Sequence, residues 1–170
     1  MLRKVSGLVL SAVAISAVGA GVASAAEAPA STELRDAKDR SFCISAKGLP
    51  SGGMGWHGVN VVSCDSVSES GRGWRLESNG QIVNQAWNRC LTMFDDGSNS
   101  VGLSDCGNGQ RQTWKVSEVV HPYYAKVQGN KHYTIKNVES GLFVKQNGDR
   151  ISATSTISHN SWDDFWSLGK

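Results

Sequence analysis

Between Thr92 and Gln112 the chain places two adjacent carboxylates, Asp95 and Asp96, and several carboxamides, Asn99, Asn108 and Gln112 among them. Carboxylates accept hydrogen bonds and carboxamides both accept and donate them, so the group is equipped to hold a polar ligand. It is poorly equipped for acid–base catalysis. Neighbouring residues in a turn point apart, whereas a general acid and base must both reach the reacting group. His57, His121, His132 and His159 are scattered, and there is no Gly-x-Ser-x-Gly elbow, His-Glu-x-x-His, phosphate loop or dinucleotide fingerprint. The four cysteines include no Cys-x-x-Cys pair and have no clustered histidine beside them, so neither a metal nor a cofactor is expected. These residues point to binding without catalysis.

Three tryptophans add flat apolar faces in polar surroundings. Trp56 precedes His57 in a Gly-rich stretch, Trp87 lies between Asn84 and Cys90, and Trp162 precedes Asp163-Asp164. Tyr123 and Tyr124 occupy a similar setting. Aromatics on loops either contact a ligand or partner or cover one end of the fold, and the sequence leaves both open.

The elements that position these groups repeat three times. Cys43-Ile44-Ser45, Val59 to Cys64 and Trp74 run in the same order as Cys90-Leu91-Thr92, Val101 to Cys106 and Trp114. Leu142-Phe143-Val144, Ile151-Ser152-Ala153 and Trp166 follow the order again without cysteines. Cys90 to Trp114 and Leu142 to Trp166 are both 24 residues, while Cys43 to Trp74 is seven longer, mostly through the loop from Gly48 to Gly58. Each repeat opens on an aliphatic residue and an Asx two positions on: Leu34/Asp36, Ile82/Asn84 and Ile135/Asn137. Short alternating segments separated by Asn-Gly and Asp-Gly turns have strand period, and no window sustains a helical one. About four strands per repeat gives a closed all-β fold of roughly twelve. The three tryptophans at equivalent places are expected to fill its core. A second insertion, about Ser117 to Lys131, separates repeats two and three and carries His121 to Tyr124.

The first 25 residues read as a secretory leader: Arg3 and Lys4, an apolar run from Leu8 to Val22, then Ala23-Ser24-Ala25. Without them the 17 basic residues fall to 15, matching the 15 acidic ones. A neutral chain without a basic run argues against nucleic acid and anionic membranes. Processing would leave no membrane span, a secreted chain, and a flexible lead-in over residues 26–33. The remainder, 34–170, makes one domain with repeats at about 34–80, 81–131 and 132–170. Four cysteines in an exported chain allow three pairings. The repeat selects Cys43–Cys64 and Cys90–Cys106, each stapling one unit and contributing about 3 kcal/mol.

Cys-Leu-x-x, Val-x-Leu-x-x-Cys and Gln-x-Trp in triplicate resemble the ricin B-type lectins, and the resemblance covers about Leu34 to Lys170. It implies a β-trefoil of three sugar-binding subdomains. The family's pocket has an Asp two positions after the first Cys, an aromatic two before the second, and the amide of Gln-x-Trp. Those positions read Ser45, Thr92 and Val144 for the acid, and Val62, Ser104 and Thr154 for the aromatic. All six depart from the pattern. The amide survives as Gln112, against Arg72 and Asp164. The expected site is therefore a single weak one in repeat two, built from Thr92, Asp95, Asp96, Asn99, Asn108 and Gln112 with a loop aromatic. The implied partner is a glycan or glycosylated surface. The alternative is a degenerate trefoil that binds a protein through its insertions, as a hydrolase inhibitor or the non-catalytic targeting subunit of a toxin.

Overall fold

The computed structural model describes residues 31–46, 57–119, 131–158 and 161–169. The leader, Trp56, Tyr123, Tyr124 and most of both insertions lie outside them. No helix among the described residues is long and apolar enough to cross a membrane.

Among the described residues twelve strands form, four to a repeat. The first repeat has β1 (Ser31–Asp36), β2 (Phe42–Ala46), β3 (His57–Ser63) and β4 (Gly73–Leu76). The second has β5 (Ile82–Asn84), β6 (Arg89–Met93), β7 (Val101–Ser104) and β8 (Trp114–Val119). The third has β9 (His132–Asn137), β10 (Phe143–Asn147), β11 (Arg150–Thr154) and β12 (Trp166–Leu168). One helical turn, α1 (Glu69–Arg72), and two 3-10 turns at Cys64–Ser66 and Gln110–Gln112 complete the described elements.

Within each repeat the second and third strands form a hairpin: β2–β3, β6–β7 and β10–β11. The three hairpins meet pairwise. Arg150 pairs with Asn60, Gly58 with Gly102, and Ser100 bridges Ser152. The first and fourth strands form the wall, with β4 between β1 and β5, and β9 between β8 and β12. Antiparallel pairing of β1 with β12 joins the first repeat to the last. This is the β-trefoil, and both disulfides pair as the repeat requires, Cys43–Cys64 and Cys90–Cys106.

Each strand contributes one residue to the centre of the core, in equivalent sets of three, and Ala46, Val59, Met93, Val101 and Ile151 pack around them. Leu34, Ile82 and Ile135 come from the first strands, and Ile44, Leu91 and Val144 from the second. Val61, Leu103 and Ala153 come from the third, and Trp74, Trp114 and Trp166 from the fourth. Period-two alternation explains the selection, because every second side chain faces inward. Each buried indole must also place its N–H. Trp74 donates to the Ile44 carbonyl at 3.0 Å, Trp114 to Leu91 at 2.8 Å, and Trp166 to Val144 at 3.3 Å.

Those three bonds correct the alignment of repeat three. Val144 is the equivalent of Ile44 and Leu91, so Phe143 rather than Leu142 stands where the other repeats have their first cysteine. The matching 24-residue spacing was a coincidence, and the acid position of repeat three is Lys145. The expected lead-in over 26–33 also changes. Strand β1 begins at Ser31, and Ser31 to Glu33 pair with Arg75 to Gly73 of β4. The small polar residues there are strand because a partner edge and a buried counter-charge for Glu33 await them.

The Asx at the end of each first strand pins the turn that follows. Asp36 Oδ1 accepts from Asp39 N–H, Asn84 Oδ1 from Trp87 N–H, and Asn137 Oδ1 from Ser140 N–H. The two asparagines also donate to the preceding repeat, Asn84 Nδ2 to Gly71 and Gly73 carbonyls, Asn137 Nδ2 to those of Arg111 and Thr113. Gly80, at φ +85°, makes the turn between repeats one and two. A Cβ there would lie 3.0 Å from Thr113 Cγ2 and 3.2 Å from the Trp114 carbonyl.

Candidate functional site

The residue two before each core tryptophan faces inward and ties down the loop that follows the third strand. In repeat two Gln112 is 6% exposed. Its Nε2 donates to Thr92 Oγ1 at 3.0 Å, Ser104 Oγ at 2.7 Å and the Asp105 carbonyl at 2.8 Å. Its Oε1 accepts from Gly107 N–H at 2.7 Å. Thr92, 8% exposed, also bonds Ser104 Oγ and the Cys90 carbonyl. This network satisfies every polar atom it buries, which is the condition for keeping it in the interior.

The other repeats solve the same problem with different chemistry. Arg72 donates to the carbonyls of Cys64 and Val67 and ion-pairs with Glu33 at 2.9 Å. Glu33 is buried, and Arg35 bonds its other oxygen, Nε to Oε2, at 2.8 Å. Burial raises the Glu33 carboxyl, but hydrogen bonds and charge from Arg72 and Arg35 outweigh it and hold the group below the ordinary carboxylate range. In repeat three the fully buried Asp164 accepts from Ser158 N–H at 2.7 Å. The acid positions follow suit: Ser45 is buried against the Gly71 carbonyl. In repeats one and two the acid positions of the family, Ser45 and Thr92, are thus occupied by the fold itself.

What stays open lies beside them. A hollow of about 310 Å³ opens between the tip of the β6–β7 hairpin and the turn after β9. The hairpin supplies Met93, Phe94, Asp95, Gly97 and Asn99; Arg111, Glu139, Ser140 and Leu142 complete the lining. Asp95 is 73% exposed, and Arg111 Nη2 bonds its Oδ2 at 2.7 Å while Arg111 Nε reaches Glu139 Oε1 at 3.4 Å. Exposed pairs of this kind contribute little to stability. A ligand hydroxyl can therefore replace one partner without unfolding anything. Met93 and Leu142 provide the apolar floor.

The remaining predicted residues separate. Asp96 does not line the hollow and instead braces the hairpin tip beside it. It accepts from Ser98 N–H, Ser98 Oγ and Ser100 Oγ, at 2.9, 2.6 and 2.6 Å. Those bonds, Ser100 foremost, lower its carboxyl to about 2. Asn99 holds the turn at φ +53° and its carbonyl accepts from Ala153 N–H, linking the hairpin tip to repeat three. Asn108 lines a second, smaller hollow of about 150 Å³ with Asn79, Gln81, Gly107 and Thr113. Of the loop aromatics, Trp87 is 37% exposed and turns its Nε1 toward the Ala46 carbonyl at 3.5 Å. Trp162 packs edge-on against His132, centroids 5.2 Å apart, and borders neither hollow. Among the described residues one group of metal-type ligand atoms clusters, Glu33 with Cys43 and Cys64, and its sulfurs belong to a disulfide.

Sequence reasoning missed Arg111, Glu139 and Ser140. Arg111 carried a faint signal, since it precedes Gln112 and must emerge where Gln112 turns inward. Glu139 carried none, because only the trefoil closure brings a residue 44 positions away beside Asp95.

Solved structures confirm the architecture. The chain superposes on a mosquitocidal holotoxin with a TM-score of 0.65 and 14% identity over 84% of its length, covering 17% of that protein. It superposes on the Polyporus squamosus lectin bound to a human-type influenza-binding epitope at 0.63, with 16% identity, covering 84% of this chain and 49% of that one. The Vibrio vulnificus hemolysin/cytolysin β-trefoil lectin with N-acetyl-D-lactosamine bound gives 0.56 and 17%, covering 84% and 96%. No curated protein matches the sequence itself. The ricin-type beta-trefoil lectin domain model matches residues 30–130, so with two Cys-to-Trp units, a third that keeps the tryptophan, and a three-fold core, the chain belongs to that family of carbohydrate-binding folds.

Proposed function

We propose that this protein is a secreted, non-catalytic lectin with one shallow glycan site, the hollow between the β6–β7 hairpin and the turn after β9. The observation that carries the reading is the convergence of Asp95, Asn99 and Arg111 with Met93 and Leu142 in one open concavity. A carboxylate and an amide suit adjacent sugar hydroxyls, and the apolar floor suits the C–H face of a ring. Asp95 is the principal acceptor, and Arg111 orients it. Two disulfides suit an oxidising compartment and agree with export through the leader-like first 25 residues. A single open site of this size binds weakly, so useful avidity requires clustering of the protein or of its ligand.

A glycan array with the mature, oxidised protein tests this. Binding should appear for at least one neutral glycan class and disappear in Asp95→Ala, while thermal stability stays within about 0.5 kcal/mol of wild type. Absence of any binding by a folded sample refutes the lectin reading and leaves the protein-binding alternative. Binding that survives Asp95→Ala moves the site away from this hollow.

A further inference from the structure

Three Asn-Gly pairs occur among the described residues, Asn79-Gly80, Asn108-Gly109 and Asn147-Gly148, and the structure treats them differently. We infer that Asn108 is the fastest site of spontaneous deamidation in the folded protein, with Asn147 slowed by its hairpin and Asn79 protected. The inference is independent of any ligand.

The chemistry is intramolecular. The Gly109 backbone nitrogen attacks Asn108 Cγ, the new N–Cγ bond forms as the Cγ–Nδ2 bond breaks, and the proton given up by the attacking nitrogen is balanced by one that Nδ2 takes from solvent as it leaves as ammonia. Water then opens the succinimide at either carbonyl, giving aspartate or isoaspartate at position 108. The step needs a free backbone N–H after the asparagine, a carboxamide free to rotate, and no side chain crowding the nucleophile.

Asn108 meets all three conditions. It is exposed, and neither its carboxamide nor the Gly109 N–H has a hydrogen-bond partner among the described residues. Open space surrounds Gly109. Asn79 fails. Its Oδ1 accepts from Gln81 N–H and its Nδ2 donates to Gln81 Oε1, while Gly80 N–H is held by the Glu77 carbonyl at 2.9 Å. Asn147 is intermediate. Its side chain is exposed, but Gly148 sits at φ +65° in a tight turn whose flanks are fixed by β10–β11 pairing, with Gln146 Nε2 on the Gly148 carbonyl. Asp96-Gly97, which could form the same imide by losing water, is silenced because its carboxylate is ionised and saturated by Ser98 and Ser100.

The consequence reaches the interior. Asn108 is flanked by Gly107, whose N–H is held by Gln112 Oε1, and by Gly109, whose carbonyl accepts from Gln112 N–H. An isoaspartyl link lengthens the backbone between those two anchors, so the Gln112 network must loosen as the protein ages.

Trypsin separates the three sites onto peptides 76–89, 90–111 and 146–150. Oxidised protein incubated in mildly alkaline buffer and mapped over time should show conversion of Asn108 severalfold faster than Asn147, with Asn79 slowest. In reduced, denatured protein the three rates should converge, since all three share the Asn-Gly dipeptide that dominates the unfolded rate. Gly109→Ala, at a position where a Cβ meets nothing, should fold normally and suppress conversion at Asn108. If Asn79 or Asn147 keeps pace with Asn108 in the folded protein, the inference is wrong. The same holds if Asn108 is silent folded but reactive unfolded.

Discussion

Replacing Glu33 by glutamine tests whether repeat one is closed by an internal ion triad. The Glu33 side chain is 3% exposed and lies between Arg72 and Arg35, themselves 16% and 19% exposed. Glutamine keeps the shape and one acceptor but removes the charge and turns an NH2 group toward a guanidinium. Removing one partner of a buried pair typically costs 3–5 kcal/mol. Here both arginines keep carbonyl partners, Cys64 and Val67 for Arg72 and Arg40 for Arg35, which places the cost at the lower end, about 3 kcal/mol. For a domain of this size that lowers Tm by about 10 °C. The sign with pH follows from the lowered carboxyl of Glu33. A group whose folded pKa lies below its unfolded value stabilises fully above the unfolded value, near 4.5, and the contribution fades as pH falls through the folded one. The difference in urea-unfolding free energy between wild type and Glu33→Gln should therefore be constant from neutrality down to about pH 5 and shrink below it. Asp36, whose carboxyl burial raises, titrates in both proteins and cancels in the difference. A variant within about 0.5 kcal/mol of wild type at neutral pH, or a difference independent of acidification, refutes the triad as the closure of repeat one.

The other predictions concern the remaining repeats. Gln112→Ala should destabilise by about 1–2 kcal/mol, because the buried Thr92 hydroxyl and the loop groups Gly107 N–H and Asp105 carbonyl lose their shared partner, and chemical denaturation reads this directly. Trp74→Phe, Trp114→Phe and Trp166→Phe should each cost about 2 kcal/mol in thermal melts, one indole bond and a small cavity apiece; a neutral variant would break the three-fold register. Cys90→Ser with Cys106→Ser should cost about 3 kcal/mol by denaturant titration, the entropy of the 16-residue loop that spans the β6–β7 hairpin.

The architecture was legible because it is written three times. Twelve strands, the tryptophan core and both disulfides follow from a pattern that must satisfy one barrel three times over, so an error in one repeat is corrected by the others. The correction failed where the pattern was thinnest. Repeat three has no cysteine, and Leu142 and Phe143 are both apolar, so spacing alone chose the wrong one by a single residue; only the Trp166 bond to Val144 fixes the register. Glu33 was unreadable for a related reason. Nothing in its small polar neighbourhood reveals that Arg72, 39 residues later, waits to bury it.

The site was less legible because one sequence position serves two purposes. The residue two before the tryptophan can face a ligand or tie down the loop beneath it, and the sequence does not distinguish the two. Arg72, Gln112 and Asp164 share neither charge nor size, yet each bonds the backbone just past the third strand of its own repeat. Three unlike side chains converging on one structural task explain why the trefoil survives where the family's acid and aromatic positions have been lost. A polar group that the fold cannot release is not available to a sugar. The glycan site proposed above rests instead on groups the fold can release, Asp95 and Arg111, whose exposed pair sits where the hairpin tip meets the next repeat. Substitutions there should change binding without unfolding the protein, and substitutions at Gln112 should do the reverse.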